Sequence, residues 1–283
     1  MSSGYFLLDR NYVTLYYIKT KIISILRIIT SWSCVLCTLK ISKDIYNREF
    51  SIISCSRVLS LFLGSLVQKD ILFHFWYLWP LIMIYLLLPL LLRNKDKLEY
   101  IWIVLLVLGI VLQSISYYIG TPIQKNIIQS LRLWTWIQYF ILGFLLRKWG
   151  NANKWNTRIN GSWLVAISIF AVTYQEFMSH YINNRYAEFF YDSIVEIILV
   201  TVIFCFILKL NLTFRQASTI RIVAGYTLGI YVLHPLIIQA VNKFYIVNNL
   251  WTSVILFFMV LSLSSMSSMI IEKLPFFQKL IEL

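Results

Sequence analysis

Long apolar runs, separated by short polar and mostly basic connectors, dominate this chain. Eight of them, at about 22–39, 71–92, 100–118, 131–147, 161–178, 191–208, 222–240 and 250–271, approach or reach the roughly 20 residues a helix needs to cross a hydrocarbon core. The first is the most interrupted, by Arg27 and several Ser and Thr. Residues 50–67 alternate apolar and polar positions around Arg57, which predicts an interfacial or re-entrant helix rather than a ninth span. The pattern predicts an all-α, polytopic transmembrane helix bundle of about eight spans, with residues 1–283 as a single integral-membrane domain.

Composition sharpens this. Of 283 residues, 59% are hydrophobic, 17% aromatic and only 13% charged, against about 25% charged in a typical soluble domain. An ordinary cytosolic enzyme, a disordered chain and a disulfide scaffold are excluded. The 10 Trp and 18 Tyr suit a protein with two membrane interfaces. The formal net charge of +13 comes from residues between apolar runs, so membrane topology explains it and nucleic acid is not an expected partner. With the N-terminus in the cytoplasm, 16 of the 25 Lys and Arg fall on the inner side. The positive-inside rule then places both termini in the cytoplasm. No secretory signal precedes the first span. Cys34 and Cys37 form a CxxC inside an apolar run with no second Cys or His pair nearby, which reads as packing rather than a metal site.

The same placement brings His74, His180 and His234 toward the outer side. Glu188, Asp192 and Glu196 are spaced by four, and one continuous helix would align them on one face. Ionisable groups inside a membrane are costly and tend to face a protein interior or a water-filled cavity. Two readings stand: loop and interface residues in contact with water, or the wall of a polar cavity opening outward.

Three stretches carry a resemblance. Phe73-His74-Phe75-Trp76-Tyr77-Leu78-Trp79-Pro80 runs into Ile84-Tyr85-Leu86-Leu87-Leu88-Pro89-Leu90. Thr227-Leu228-Gly229-Ile230-Tyr231-Val232-Leu233-His234-Pro235 follows later in the chain, and Ser3-Gly4-Tyr5-Phe6 opens it. Weaker likenesses lie in Tyr139-Phe140-Ile141-Leu142-Gly143-Phe144 and Glu272-Lys273-Leu274-Pro275. In order and spacing these resemble the membrane-bound acyltransferase family 3, especially O-acetyltransferases of cell-envelope polysaccharides. The family has about ten spans, the first typically bearing an arginine and, eleven positions on, a histidine thought to be catalytic. This chain begins where the second span should end, so it is expected to lack the first one or two, through truncation or a start at an internal Met. The family's RxxR pair aligns with Lys21 and Ser24, with Arg27 one turn further on as a stand-in.

The resemblance implies transfer of an acyl group, usually acetyl, from cytoplasmic acyl-CoA to a sugar hydroxyl, with acyl-CoA as a donor substrate and no permanently bound cofactor or metal. An anionic donor calls for cations on the inner side, and Lys19, Lys21 and Arg27, with Arg93, Arg147 and Lys148, are candidates; each serves equally as a topology anchor. The acceptor hydroxyl needs a base, a task suited to histidine with its ordinary pKa of about 6.5. His74 and His234 are the candidates because both sit in the resembling motifs, with base, orienting and binding roles all open. Tyr231 precedes His234 by three and shares its helical face, and Pro235 frees a backbone carbonyl nearby. Trp76, Tyr77 and Tyr231 can stack on a sugar ring, while Trp79 suits the interfacial aromatic belt. Glu188, Asp192 and Glu196 complete the expected acceptor side. The expected partners are the bilayer, a glycan acceptor and acyl-CoA. Rival readings are a polysaccharide exporter or flippase, and an inactive remnant of the enzyme.

Overall fold

The computed structural model describes residues 1–10, 12–46, 54–69, 72–151, 161–183 and 190–274. Among them every regular element is helical: α1 (Ser2–Leu7), α2 (Leu15–Tyr46), α3 (Ser54–Val67), α4 (Leu78–Arg93), α5 (Leu98–Ile119), α6 (Leu133–Asn151), α7 (Gly161–Tyr181), α8 (Ile194–Leu208), α9 (Phe214–Val241) and α10 (Leu250–Lys273). A helix occupies each of the eight apolar runs. Among the described residues, five stretches are long and apolar enough to cross a membrane: Leu15–Leu39, Phe73–Arg93, Lys95–Ile119, Phe214–Val241 and Leu250–Lys273. The other three runs fall short of the expectation of eight. α6 is diluted by Gln138, Arg147 and Lys148, α7 by Gln175 and Glu176, and α8 has 15 residues. Of the stretch 50–67, residues 50–53 lie outside the described residues; the rest forms α3, whose 14 residues cover only about 21 Å at 1.5 Å each.

The chain divides into two compact units, the first comprising residues 1–15 and 83–211, the second 16–82 and 212–283. In the first, α1 and α5 pack on α6, and α7 packs on α8. Leu142 and Leu146 of α6 meet Ile197 and Cys205 of α8, with Trp102, Leu106 and Trp149 around them. The α1–α6 contact is a backbone approach. A Cβ on Gly4 would stand 1.8 Å from the Phe140 carbonyl oxygen, and one on Gly143 would stand 2.1 Å from that of Met1. Two of the resembling motifs, Ser3-Gly4-Tyr5 and Leu142-Gly143-Phe144, thus pack glycine against backbone on each other. Small residues at a membrane-helix contact permit this closeness.

α5 shows how these helices sort their residues. Ile103, Val104, Val107, Leu108, Val111 and Ile115 are 39–53% exposed, while Gln113 and Ser116 are 2% and 0% exposed, and Gly109 is also buried. This inversion of the soluble pattern is what a lipid-facing helix requires. Gly120, at φ +72°, ends α5 with its N–H donating to the Tyr117 carbonyl. The chain then folds back along α5: Gln124 Nε2 donates to Gln113 Oε1 (3.0 Å), Ser116 Oγ donates to Gln124 Oε1 (2.7 Å), and Arg132 Nη2 donates to the Gln124 carbonyl (2.7 Å).

In the second unit α9 packs along α10. Ser264 and Ser268 are both fully buried, and Ser268 Oγ donates to the Tyr226 carbonyl at 3.3 Å. Capping boxes start both helices, Thr213 with Gln216 and Asn249 with Thr252, satisfying first-turn N–H groups.

Replacing Gly143 with Ala should separate α1 from α6 and destabilise the protein by about 1–3 kcal/mol. Thermal unfolding in detergent checks this; an unchanged midpoint would contradict the packing described.

Candidate functional site

The centre of the second unit is a 3-10 turn, Phe73–Tyr77, leading directly into α4. Leu72 and Phe75, 1% and 0% exposed, pin it from below, and the Phe75 N–H closes it on the Leu72 carbonyl at 2.9 Å. α3 supports it from the side. There the Trp79 indole N–H, expected in the aromatic belt, donates to Ser65 Oγ at 3.0 Å, and the ring meets Phe62 edge-on at 5.4 Å. His74 lies inside this turn and is 6% exposed.

α9 supplies the rest. The Tyr231 hydroxyl donates to the His74 backbone carbonyl, and its ring stacks on Phe75 at 6.2 Å. His234 lies one turn further along, its ring centroid 5.6 Å from that of His74 and 6.1 Å from that of Tyr231. His234 Nδ1 is 3.2 Å from the Ile230 carbonyl. A carbonyl only accepts, so Nδ1 is the donor, and in the neutral ring Nε2 is the nitrogen with the lone pair. Pro235, inside α9, has no N–H and removes the helical donor from the Tyr231 carbonyl. Two imidazoles and a phenol, from motifs 157–160 residues apart, thus form one cluster within a single unit.

The other expected residues divide. Trp76 and Tyr77 lie edge to face at 6.1 Å, and Tyr77 is 6.4 Å from Tyr231, so these aromatics border the histidines. Lys19, Lys21 and Arg27 all lie on α2, but at about 100° per residue Lys19 and Lys21 point about 160° apart. Lys21 instead sits over its own neighbour Tyr17 at 5.8 Å. The structure does not gather the three into one cationic patch.

Asp192 and Glu196 belong to the first unit, and Glu188 and Arg185 lie outside the described residues. No helix runs from Asp192 into Glu196. α8 begins at Ile194, because Ser193 caps it by accepting the Glu196 N–H, so Asp192 sits in the preceding turn. It is 3% exposed and accepts hydrogen bonds from Thr135 Oγ1 (2.5 Å) and Trp134 Nε1 (3.1 Å). Gly109 faces it, where a Cβ would come within 3.4 Å of its side chain. Glu196 accepts from Gln175 Nε2 at 2.7 Å. Arg147, a candidate for the donor phosphates, pairs with Asp9 at 2.7 Å and lies over the Tyr5 ring at 5.2 Å, latching α1 to α6.

Sequence reasoning missed the buried amides. Gln113, Gln124, Gln129 and Gln138 and the guanidinium of Arg132 are all nearly inaccessible. The signal was there: four Gln within 26 residues, flanking the breaker Gly120-Thr121-Pro122.

The fold and this cluster define an all-α membrane protein with paired histidines held between a short turn and a proline-bearing helix. A family model described as an acyltransferase domain matches residues 1–271. The chain belongs to acyltransferase family 3 and is a membrane acyltransferase. No curated protein and no solved structure matches it.

Tyr231→Phe should release the His74 carbonyl and cost about 0.5–1.5 kcal/mol of stability. Denaturant titration in mild detergent tests this, and equal stability of the two proteins would count against the bond.

Proposed function

We propose that this protein is an O-acyltransferase that moves an acyl group, acetyl in the first instance, from acyl-CoA to a hydroxyl of a cell-surface polysaccharide or its lipid-linked precursor. The observation that carries this reading is the Tyr231-braced pair of imidazoles in a chain of an acyltransferase family. With Nδ1 held by the Ile230 carbonyl, His234 presents Nε2 as the base. It takes the acceptor's hydroxyl proton while the oxygen attacks the thioester carbonyl. A C–O bond forms, the C–S bond breaks, and the departing thiolate recovers the proton from His234 as CoA thiol. His74, 5.6 Å away, orients the acceptor or His234.

Trp76, Tyr77 and Tyr231 supply aromatic faces and edges for a sugar ring. The carboxylates Glu188, Asp192 and Glu196 are proposed for the acceptor side, with Asp192 also holding α6 through Thr135 and Trp134. Lys19, Lys21 and Arg27 are proposed as donor contacts acting singly rather than as a patch. The basic bias of alternate connectors supports both termini being cytoplasmic, in a bacterial plasma membrane, where acyl-CoA is supplied.

In a purified system with acetyl-CoA and a glycan acceptor, His234→Ala should lower transfer by at least about 100-fold. His74→Ala should lower it sharply too, and both variants should insert normally. Wild-type rates in either variant would remove that histidine from the site.

A further inference from the structure

We propose that a cavity at the first turns of α9 holds the 3′-phosphate of the CoA donor, with Arg215 as its cationic contact, a role that rests on the acyl-CoA reading above. The cavity measures about 370 Å³ and is lined by Leu212, Arg215, Gln216, Thr219 and Ile220, all in the unit that carries the histidine cluster. Among the described residues no ion pair or hydrogen bond holds the Arg215 guanidinium. Thr213 and Gln216 already cap the helix, so the charge on offer is that guanidinium. Gln216 Oε1 accepts from the Thr213 N–H at 2.9 Å, which leaves Gln216 Nε2 to donate beside it. A guanidinium and an amide N–H are donors that suit a phosphate. The connector 209–221 holds Lys209, Arg215 and Arg221 and no acid, which on the topology proposed above faces the cytoplasm.

One helix connects this cavity to the histidines. Gln216 precedes His234 by 18 residues, about five full turns, so the cavity and the imidazole share one side of α9. Ile220, Val223 and Thr227 continue the same line between them and are exposed. From Arg215 to His234 the helix rises about 28 Å, a length that CoA matches when extended from its 3′-phosphate to its sulfur. The apolar side chains of Leu212, Ile220 and Val223 suit the methyl and methylene groups of the pantetheine arm. Lys19 and Lys21 on α2 point apart and offer no comparable track. Arg215 makes and breaks no covalent bond; it anchors the far end of the donor while the thioester lies at His234.

Coenzyme A and 3′-dephospho-CoA differ only in that phosphate, and calorimetry on the full chain in detergent compares them. At low salt, wild type should prefer CoA by about three- to tenfold, a margin that added salt reduces. Arg215→Gln should lose the preference, while Arg215→Lys, which keeps the charge, should retain part of it. Arg221→Gln is the control: Arg221 lies about 140° round α9 from His234, and the preference should survive its loss. Equal binding of the two compounds by wild type overturns the proposal, as does a full preference in Arg215→Gln. A loss in Arg221→Gln as large as in Arg215→Gln also overturns it, since diffuse surface charge would then be the cause. If wild type binds neither compound, the acyl-CoA reading itself fails and takes this inference with it.

Discussion

Lipid tails are as apolar as leucine, so helices in a bilayer gain little by hiding leucine from their surroundings. What they must hide is polarity, which lipid cannot solvate. The buried residues follow this constraint. α5 turns Gly109, Gln113 and Ser116 inward and its Val and Ile outward; α10 buries Ser264 and Ser268 while Phe257, Phe258 and Ile270 stay exposed. Close backbone approach replaces apolar burial as the source of contact, as at Gly4 and Gly143.

The same constraint shapes the histidine cluster. A 3-10 turn leaves carbonyls that a continuous helix would have used, and the Tyr231 hydroxyl takes the one at His74. Pro235 leaves another on α9, next to the imidazole whose Nδ1 is held by Ile230. Irregular backbone is tolerated at membrane depth where protein covers it or a polar cavity is lined by it. The turn and the proline therefore shape this cluster: the Tyr231 hydroxyl ties α9 to the turn, and the Ile230 carbonyl holds one nitrogen of His234.

The helical architecture was legible because apolar runs of about 20 residues have few alternatives. The pairing of His74 with His234 was legible as two motifs but not as a distance, since their separation along the chain says nothing about contact. Three features stayed hidden for one physical reason: tertiary partners decide the fate of a polar residue. Ser193 could continue a helix or cap one, and capping moved Asp192 out of α8. Arg147 could meet a ligand's phosphate or Asp9, and Asp9 has it. Gln113 and Gln124 carry no sign of their pairing in the sequence; the backward fold of residues 120–132 brings them together.

The central claim is that the His74–His234 pair is the reaction centre, and chemical modification tests it most directly. Limited treatment of the native protein with diethylpyrocarbonate, followed by peptide mass spectrometry and a transfer assay, reports each ring separately. His180, exposed and 3.0 Å from Glu176, is the internal control. The account predicts that activity falls in step with modification of His234, that bound acceptor slows this modification, and that His180 reacts without effect. Full activity with His234 modified would contradict it.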